Sequence, residues 1–169
     1  MMAAVERELG PVDVLVNNAG IGLVRTVDEL SEDDFDRTIA VNLKSVFLCT
    51  QAVVPGMRTR KWGRIVNISS GAARGGGGVG PHYNASKAGM EGMTRSYAAR
   101  LVKDGITVNA VAPSLIATDM VSAVASSAAR IPLGRFGTPQ ECAQVVMLLV
   151  GNEYMTGQTV ALSGGLSFV

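Results

Sequence analysis

Four short runs of β-branched and aliphatic residues alternate with longer stretches in which apolar residues recur at helical spacing. The short runs are predicted to be strands, because Val and Ile suit a pleated sheet, and they cover 12–16, 63–68, 106–111 and 159–162. Their near-continuous apolar character is typical of parallel strands that are buried on both faces. Pro113 is expected to end the third strand, because proline lacks the N–H that a ladder needs.

The longer stretches predict helices that cover this sheet. At Ser31 an N-cap is followed by three acidic residues, which favours a helix start there. The expected helices run to Leu9, from Ser31 to about Leu43, onward to Met57, from Tyr83 to about Lys103 and from Pro139 to Val150, with a weak helix or lid over Val121–Ala129. This alternation, without an interdomain linker, predicts one α/β domain over residues 1–169 with helices on both faces of a parallel sheet. Such sheets bind ligands beyond the carboxyl ends of their strands.

Composition and charge narrow the classes of partner. The 15 Lys and Arg balance 14 Asp and Glu and form no basic run, so neither a nucleic-acid partner nor a membrane-surface helix is expected. No apolar run reaches the roughly 18 residues of a membrane span, and MMAAVERELG lacks the features of a signal peptide. We therefore expect no membrane contact and a cytoplasmic location, with an organelle matrix left open. Cys49 and Cys142 form no CxxC motif and no cluster with His82, which predicts buried, reduced thiols and no metal site.

Tyr83 and Lys87 stand four residues apart on one predicted helix, so their side chains are neighbours on one face. A nearby ammonium favours the phenolate, which would lower the tyrosine pKa and suit the group to acid–base catalysis. Ser70 follows the second strand, at the edge where a hydroxyl could hold a substrate oxygen, and Asn42 lies within a predicted helix. Each also has an ordinary interpretation: a solvated helix start for the pair, a loop serine, and an exposed asparagine.

Two further features, a glycine run and the single histidine, resemble functional motifs, but the sequence favours an ordinary interpretation of each. Gly75, Gly77 and Gly80 fit G-x-G-x-x-G, but a glycine run fits it trivially and begins several residues after its strand. We expect a flexible loop beside the substrate instead. His82 adjoins Tyr83, yet sequence neighbours on a helix do not face each other, so His82 is expected to be an ordinary residue of the loop or the helix start.

Motifs spread along the chain resemble the short-chain dehydrogenase/reductase family. They are Asn17-Asn18-Ala19-Gly20, Asn42, Ser70, Tyr83-Asn84-Ala85-Ser86-Lys87, Pro113 to Thr118 and Pro132 to Gly137, in the family's order and spacing. Within the family, segments such as VDVLVNNAGI, GRIVNISS and IPLGRFGTPQE most resemble 3-oxoacyl-[acyl-carrier-protein] reductases, a subgroup that grades into alcohol, sugar and steroid dehydrogenases. The resemblance covers essentially the whole chain.

This resemblance implies an NADPH-dependent reduction of a ketone to a secondary alcohol, with NADH as the alternative cofactor and a 3-oxoacyl thioester as substrate. Tyr83 would protonate the carbonyl oxygen and Ser70 would steady it. Lys87 would lower the tyrosine pKa and hold the nicotinamide ribose, and Asn42 would anchor a water that links Lys87 to solvent. The cofactor would contact Asn18, Ala19, Gly20, Tyr83, Lys87, Pro113, Ile116 and Thr118.

The family's chains begin with a strand, a TGxxxGxG loop and two more strands before the equivalent of Val12, and this sequence lacks them. A Rossmann-like sheet truncated to about four strands is therefore expected, with strand 12–16 as an exposed edge. Such an edge predicts aggregation, an unusual oligomer or a partner that supplies the missing part. Ser114 also stands where the family usually has glycine.

The expected partners are a carbonyl substrate, free or bound to an acyl-carrier protein, and further copies of the chain in a homodimer or homotetramer. Two alternatives stay open beside the leading interpretation. One is a short-chain alcohol, sugar or steroid dehydrogenase, which would share every catalytic residue. The other, from a different class, is a catalytically silent subunit that keeps these residues without binding cofactor.

Overall fold

Four parallel strands form one sheet in chain order in a computed structural model that describes residues 2–122 and 128–168. The strands are β1 (Val14–Asn17), β2 (Gly63–Ile68), β3 (Ile106–Pro113) and β4 (Thr159–Leu162). All four predicted strands are confirmed, although β1 begins two residues later than expected. The strand β3 extends two residues beyond the predicted end at 111, and it ends at Pro113 as expected. Pro113 pairs with Leu162, and the ladder continues because the Ser114 N–H donates to the Leu162 carbonyl at 2.9 Å.

The helices lie close to the places that the sequence pattern predicts, with ends that differ by a few residues. They are α1 (Met2–Leu9), α2 (Glu32–Ile39), α3 (Ser45–Arg60), α4 (Pro81–Leu101), the short α5 (Asp119–Ser122) and α6 (Pro139–Gly151). The Ser31 hydroxyl caps α2 by accepting from the Asp34 N–H at 3.1 Å, as its sequence context indicates. The expected break near Leu43 is instead a π-helical turn, Ala40–Lys44, that joins α2 to α3. Most of the predicted lid over Val121–Ala129 lies outside the described residues.

The two faces of the sheet carry separate cores, which makes the sheet doubly wound. On one face α3 and α4 pack against β1, β2 and β3, burying residues such as Val53, Met57 and Ile65. On the other face α6 packs against β2 and β3 through Leu149, beside Val66 and Val111. A Rossmann-like α/β sheet of four strands is therefore confirmed.

The strand β1 is an edge of the sheet within the described residues, because it hydrogen-bonds to β2 alone. Leu15 points into the core, whereas Val14 and Val16 are 38% and 41% exposed. This arrangement is the apolar edge that the sequence analysis expects. An apolar edge of this kind predicts self-association by pairing with a strand of another chain.

The continuous helix Glu32–Arg60 has 29 residues and is apolar enough by length and composition to cross a membrane. The sequence analysis did not anticipate a helix of this kind, because the π-helical turn merges two expected helices. Its inward face packs on the sheet through Val53 and Met57, both essentially inaccessible to solvent. These contacts cover one face of the helix, and 28% of its most apolar window of 18 residues is buried.

Candidate active site

A cleft of about 1230 Å³ opens at the carboxyl ends of the strands, the edge where parallel sheets bind ligands. Its floor and one wall come from the loops that follow β1, β2 and β3 and from the start of α4. The opposite wall comes from α5 and α6 and is largely apolar. Three of the predicted catalytic side chains, Ser70, Tyr83 and Lys87, line the cleft together.

Tyr83 and Lys87 occupy successive turns of α4, and both are buried although they reach the cleft. The Lys87 ammonium lies 5.8 Å from the centroid of the Tyr83 ring and donates to the Ile68 carbonyl at 2.7 Å. Burial penalises the charged form and lowers the pKa of Lys87 to about 8. The ammonium therefore stays mostly protonated at neutral pH but loses its charge under mildly alkaline conditions.

The pKa of Tyr83 moves in the direction opposite to the one expected from its neighbour. Burial raises the pKa of the phenol, and a hydrogen bond with the Ser70 side chain opposes this effect only in part. The sequence predicts a tyrosine pKa lowered toward neutral pH, and this net direction is wrong for the structure, because desolvation of the phenol dominates. Tyr83 is consequently a protonated phenol at neutral pH, a state suited to donating a proton.

Ser70 sits at the N-cap of a one-turn 3-10 helix, Gly71–Ala73, that follows β2. Its hydroxyl oxygen accepts from the Ala72 N–H at 3.2 Å, which fixes the side chain beside Tyr83. Gly71 approaches Ser114 closely: a Cβ at Gly71 would lie 2.5 Å from the Ser114 hydroxyl oxygen. The departure from the family at Ser114 therefore places a hydroxyl against the loop that contains Ser70.

Asn42 lies in the π-helical turn and is completely buried, so the interpretation as an exposed mid-helix residue is wrong. Its amide oxygen accepts from the Ile21 N–H at 2.8 Å, and its amide nitrogen donates to the Ile21 carbonyl at 3.0 Å and the Ser86 hydroxyl at 3.2 Å. These bonds hold the loop after β1 next to Lys87. Asn42 itself does not line the cleft.

The predicted cofactor contacts divide between the two sides of the cleft. Asn18 and Gly20 line it after β1, whereas the exposed Ala19 does not. Gly20 has a specific spatial role, because a Cβ there would lie 3.5 Å from both the Lys87 nitrogen and the Asn42 amide oxygen. The other predicted contacts also line the cleft: Pro113 is the last residue of β3, and Ile116 and Thr118 lie in the loop that follows it. Their loop is fixed where the Ala117 N–H donates to the Gly137 carbonyl at 2.8 Å.

The only histidine has a structural environment. His82 is completely buried at the start of α4, and its Nε2 lies 2.9 Å from the Leu23 carbonyl oxygen. Gly77 and Gly78, from the glycine run, line the cleft as expected for a loop beside the substrate. Among residues 2–122 and 128–168, no three His, Cys, Asp or Glu side chains are grouped so that they could hold a metal ion.

The apolar wall of the cleft is the part that the sequence analysis missed. It includes Cys142, Val146 and Met147 from α6 and Leu166 near the C-terminus. Both cysteines are half-buried rather than buried, and burial raises the pKa of the Cys142 thiol. The four-residue spacing of Cys142 and Val146 on an amphipathic helix is the signal that could have placed them on one face.

A doubly wound parallel sheet that carries a buried phenol, an ammonium and a hydroxyl at its carboxyl edge defines an α/β enzyme equipped for acid–base chemistry. A family model described as enoyl-(acyl carrier protein) reductase matches residues 1–167. The chain belongs to the short-chain dehydrogenase/reductase family of oxidoreductases.

Several relatives share this chain's sequence over most of its length. It is 46% identical to a 3-oxoacyl-[acyl-carrier-protein] reductase of Thermotoga maritima, over 96% of this chain and 69% of the relative. It is 42% identical to an acetoacetyl-CoA reductase of Shinella zoogloeoides, over 99% of this chain and 73% of the relative. The crystal structure of a 3-oxoacyl-[acyl-carrier protein] reductase from Brucella melitensis superposes with a TM-score of 0.92 at 37% identity, covering 99% of this chain and 68% of that one.

Proposed function

We propose that this protein reduces the ketone of a 3-oxoacyl thioester to a secondary alcohol at the expense of NADPH. The observation that carries the proposal is the meeting of Ser70, Tyr83 and Lys87 in one cleft, with Tyr83 held as a protonated phenol. The names of the relatives support the reaction, because they describe reductases of 3-oxoacyl and acetoacetyl thioesters.

The cleft suits the nicotinamide and ribose end of the cofactor. One N–H of Lys87 is used by the Ile68 carbonyl, so its other donors are available to ribose hydroxyls. The absence of a side chain at Gly20 leaves room beside the ammonium, and Asn18 lines the same wall. We propose that Ile116 and Thr118 cover the opposite side. NADPH is the proposed cofactor, with NADH as the alternative.

NADPH held by Lys87, Asn18 and Gly20 would supply the hydride that the carbonyl carbon accepts in the proposed reaction. Tyr83 donates its phenolic proton to the carbonyl oxygen as negative charge develops there, and Ser70 donates a hydrogen bond to the same oxygen. Lys87 places a positive charge beside the tyrosine when the proton leaves, which stabilises the phenolate transiently. Asn42 holds the loop next to Lys87, and we propose that its surroundings admit the water that returns a proton.

The apolar wall is the feature that favours an acyl substrate over a sugar. Leu115, Val146, Met147 and Leu166 face a wide cleft and can receive the acyl chain of a thioester, on a carrier protein or on coenzyme A. The description of the family model instead names enoyl reduction, in which a carbon–carbon double bond is reduced. The names of the relatives, which describe reductases of 3-oxoacyl and acetoacetyl thioesters, favour ketone reduction.

The proposal is tested by following NADPH consumption with substrates that differ in one feature at a time. Acetoacetyl-CoA and crotonyl-CoA share the thioester but differ in the reducible bond, and cyclohexanone retains a ketone without the thioester. We expect turnover of acetoacetyl-CoA, with kcat/KM at least about tenfold above either of the others. A preference for crotonyl-CoA would show that the protein reduces enoyl thioesters and would contradict the proposed ketone reduction. Equal turnover of cyclohexanone would favour an alcohol dehydrogenase.

The second candidate is a catalytically silent subunit that assembles with other chains. The observation in its favour is the apolar edge of β1, which is exposed within the described residues. We also propose that the protein is a homodimer or homotetramer, since α3 exposes the large apolar side chains of Phe47 and Leu48. A cytoplasmic location is a separate proposal. Folded protein that consumes no NADPH with any substrate and binds no cofactor would favour the silent subunit.

A further inference from the structure

Glu91 is a buried carboxylate that the proposed reaction does not use. It is 4% exposed and follows Tyr83 and Lys87 at four-residue intervals along α4. Residues at this spacing lie along one face of a helix, so the proton donor, the ammonium and this carboxylate form one stripe. Burying a charged group is costly unless it is paired and hydrogen-bonded, which directs attention to its partners.

Both oxygens of Glu91 have a partner in the loop that follows β2. The Ser69 hydroxyl donates to Oε1 at 3.0 Å, and the Arg74 Nε donates to Oε2 at 3.1 Å. Ser69 immediately precedes Ser70, and Arg74 is the C-cap of the single 3-10 turn whose N-cap is Ser70. The carboxylate therefore bonds to both ends of the segment that fixes the Ser70 hydroxyl.

We propose that Glu91 is a positioning residue that clamps this segment, through Ser69 and Arg74, so that the Ser70 hydroxyl is held against Tyr83. The clamp and Tyr83 belong to the same rigid helix, so the distance between the two hydroxyls is set by contacts internal to α4 and the clamped turn. Beyond Arg74, the Asn84 amide holds the next part of the loop by donating to the carbonyls of Gly75 and Gly76. Glu91 acts on the part that contains the serine.

The inference rests on the proposed function. Two variants remove the two arms of the clamp separately, that is, the hydrogen bond of Glu91 with Arg74 and the one with Ser69. Glu91→Gln keeps an acceptor for Ser69 but turns an amide toward the Arg74 guanidinium, so the arm to Arg74 is lost. Ser69→Ala removes the other arm. We expect each to lower kcat about tenfold, because a misplaced catalytic hydroxyl loses transition-state stabilisation, while the Kd for NADPH stays unchanged.

A double-mutant cycle with Ser70→Ala distinguishes positioning from a general loss of structure. If Glu91 acts through Ser70, Glu91→Gln has no further effect on kcat once the Ser70 hydroxyl is gone. Equal losses of kcat in the two backgrounds would overturn the proposal. The matched control is Arg58→Met, which should leave kcat unchanged. Arg58 forms an ion pair of 2.8 Å with Asp104, which lies just before β3 and away from the cleft.

A readout independent of turnover keeps this inference separate from the proposed activity. The hydrogen bond from Ser70 opposes the rise in the pKa of Tyr83, so releasing Ser70 should raise that pKa further. The pKa of Tyr83 is measured from tyrosinate absorbance against pH in Arg74→Met and in the wild type. The titration curve of Tyr83→Phe is subtracted to remove the signal of the other tyrosines. An unchanged Tyr83 titration in folded Arg74→Met would overturn the clamp whether or not the wild type reduces a ketone. If Arg74→Met does not fold, Arg74→Lys is titrated in its place, with the same two outcomes.

Discussion

Replacing Lys87 with methionine should make the protein more stable at neutral pH while removing its activity. The side chain is 4% exposed, and burial lowers its pKa from 10.5 to about 8. This difference corresponds to about 3 kcal/mol by which the buried charge reduces the free energy of unfolding below pH 8. Methionine removes that cost but leaves the Ile68 carbonyl without its donor, which offsets about 1 kcal/mol.

The net gain is about 2 kcal/mol at neutral pH, or a rise in Tm of about 6 °C for a domain of this size. The sign depends on pH. Between about 8 and 10.5 the unfolded chain binds more protons than the folded one, so the unfolding free energy of the wild type rises with pH across that window. The variant lacks this rise, and the order of the two stabilities should reverse near the top of the window.

Urea unfolding of both proteins at about pH 7 and about pH 10 measures this crossover. Lys103→Met is the control, because Lys103 is exposed and its removal should change little at either pH. A Lys87→Met variant less stable than the wild type at neutral pH would refute the reasoning. So would a wild-type stability that does not rise with pH relative to the variant.

Three other predictions concern the Tyr83 phenol, the turn at Gly105 and the edge strand β1. Tyr83→Phe should abolish ketone reduction while sparing cofactor affinity, with Tyr97→Phe as the control, and comparable turnover would remove Tyr83 from the mechanism. Gly105→Ala should lower the free energy of unfolding by more than about 2 kcal/mol, because Gly105 has a φ of +75° and a Cβ would overlap the Lys61 carbonyl; urea denaturation tests it. Val14→Lys should reduce self-association at the β1 edge in sedimentation velocity, and a monomeric wild type would contradict that expectation.

The strands were predictable because their order and type depend on short local patterns. Runs such as GRIVNI and ITVNAV contain enough Val and Ile to mark buried parallel strands. The continuity of α2 and α3 was not predictable, because the turn that joins them is π-helical and its Asn42 side chain bonds to Ile21, which is far from it in sequence. Periodicity alone cannot show such a bond.

The candidate site was also predictable only in part. The spacing of Tyr83 and Lys87 indicates a shared helix face, but the direction of the tyrosine pKa depends on how deeply the phenol is buried, which a sequence does not show. The Glu91 clamp joins residues 17 to 22 positions apart, and only the packing of the loop on α4 brings them together. Local motifs thus indicate the chemistry, and the tertiary contacts decide how its groups are charged and held.

The most direct test of the central claim is a titration of the folded protein with NADPH, followed by the enhancement of nicotinamide fluorescence. We predict a saturable signal of equal affinity in the wild type and in Tyr83→Phe, because the proposed cofactor contacts of Asn18, Gly20 and Lys87 are unchanged in the variant. The absence of a signal from protein that shows a cooperative melt would contradict the account, since the cleft would then not be a nicotinamide site.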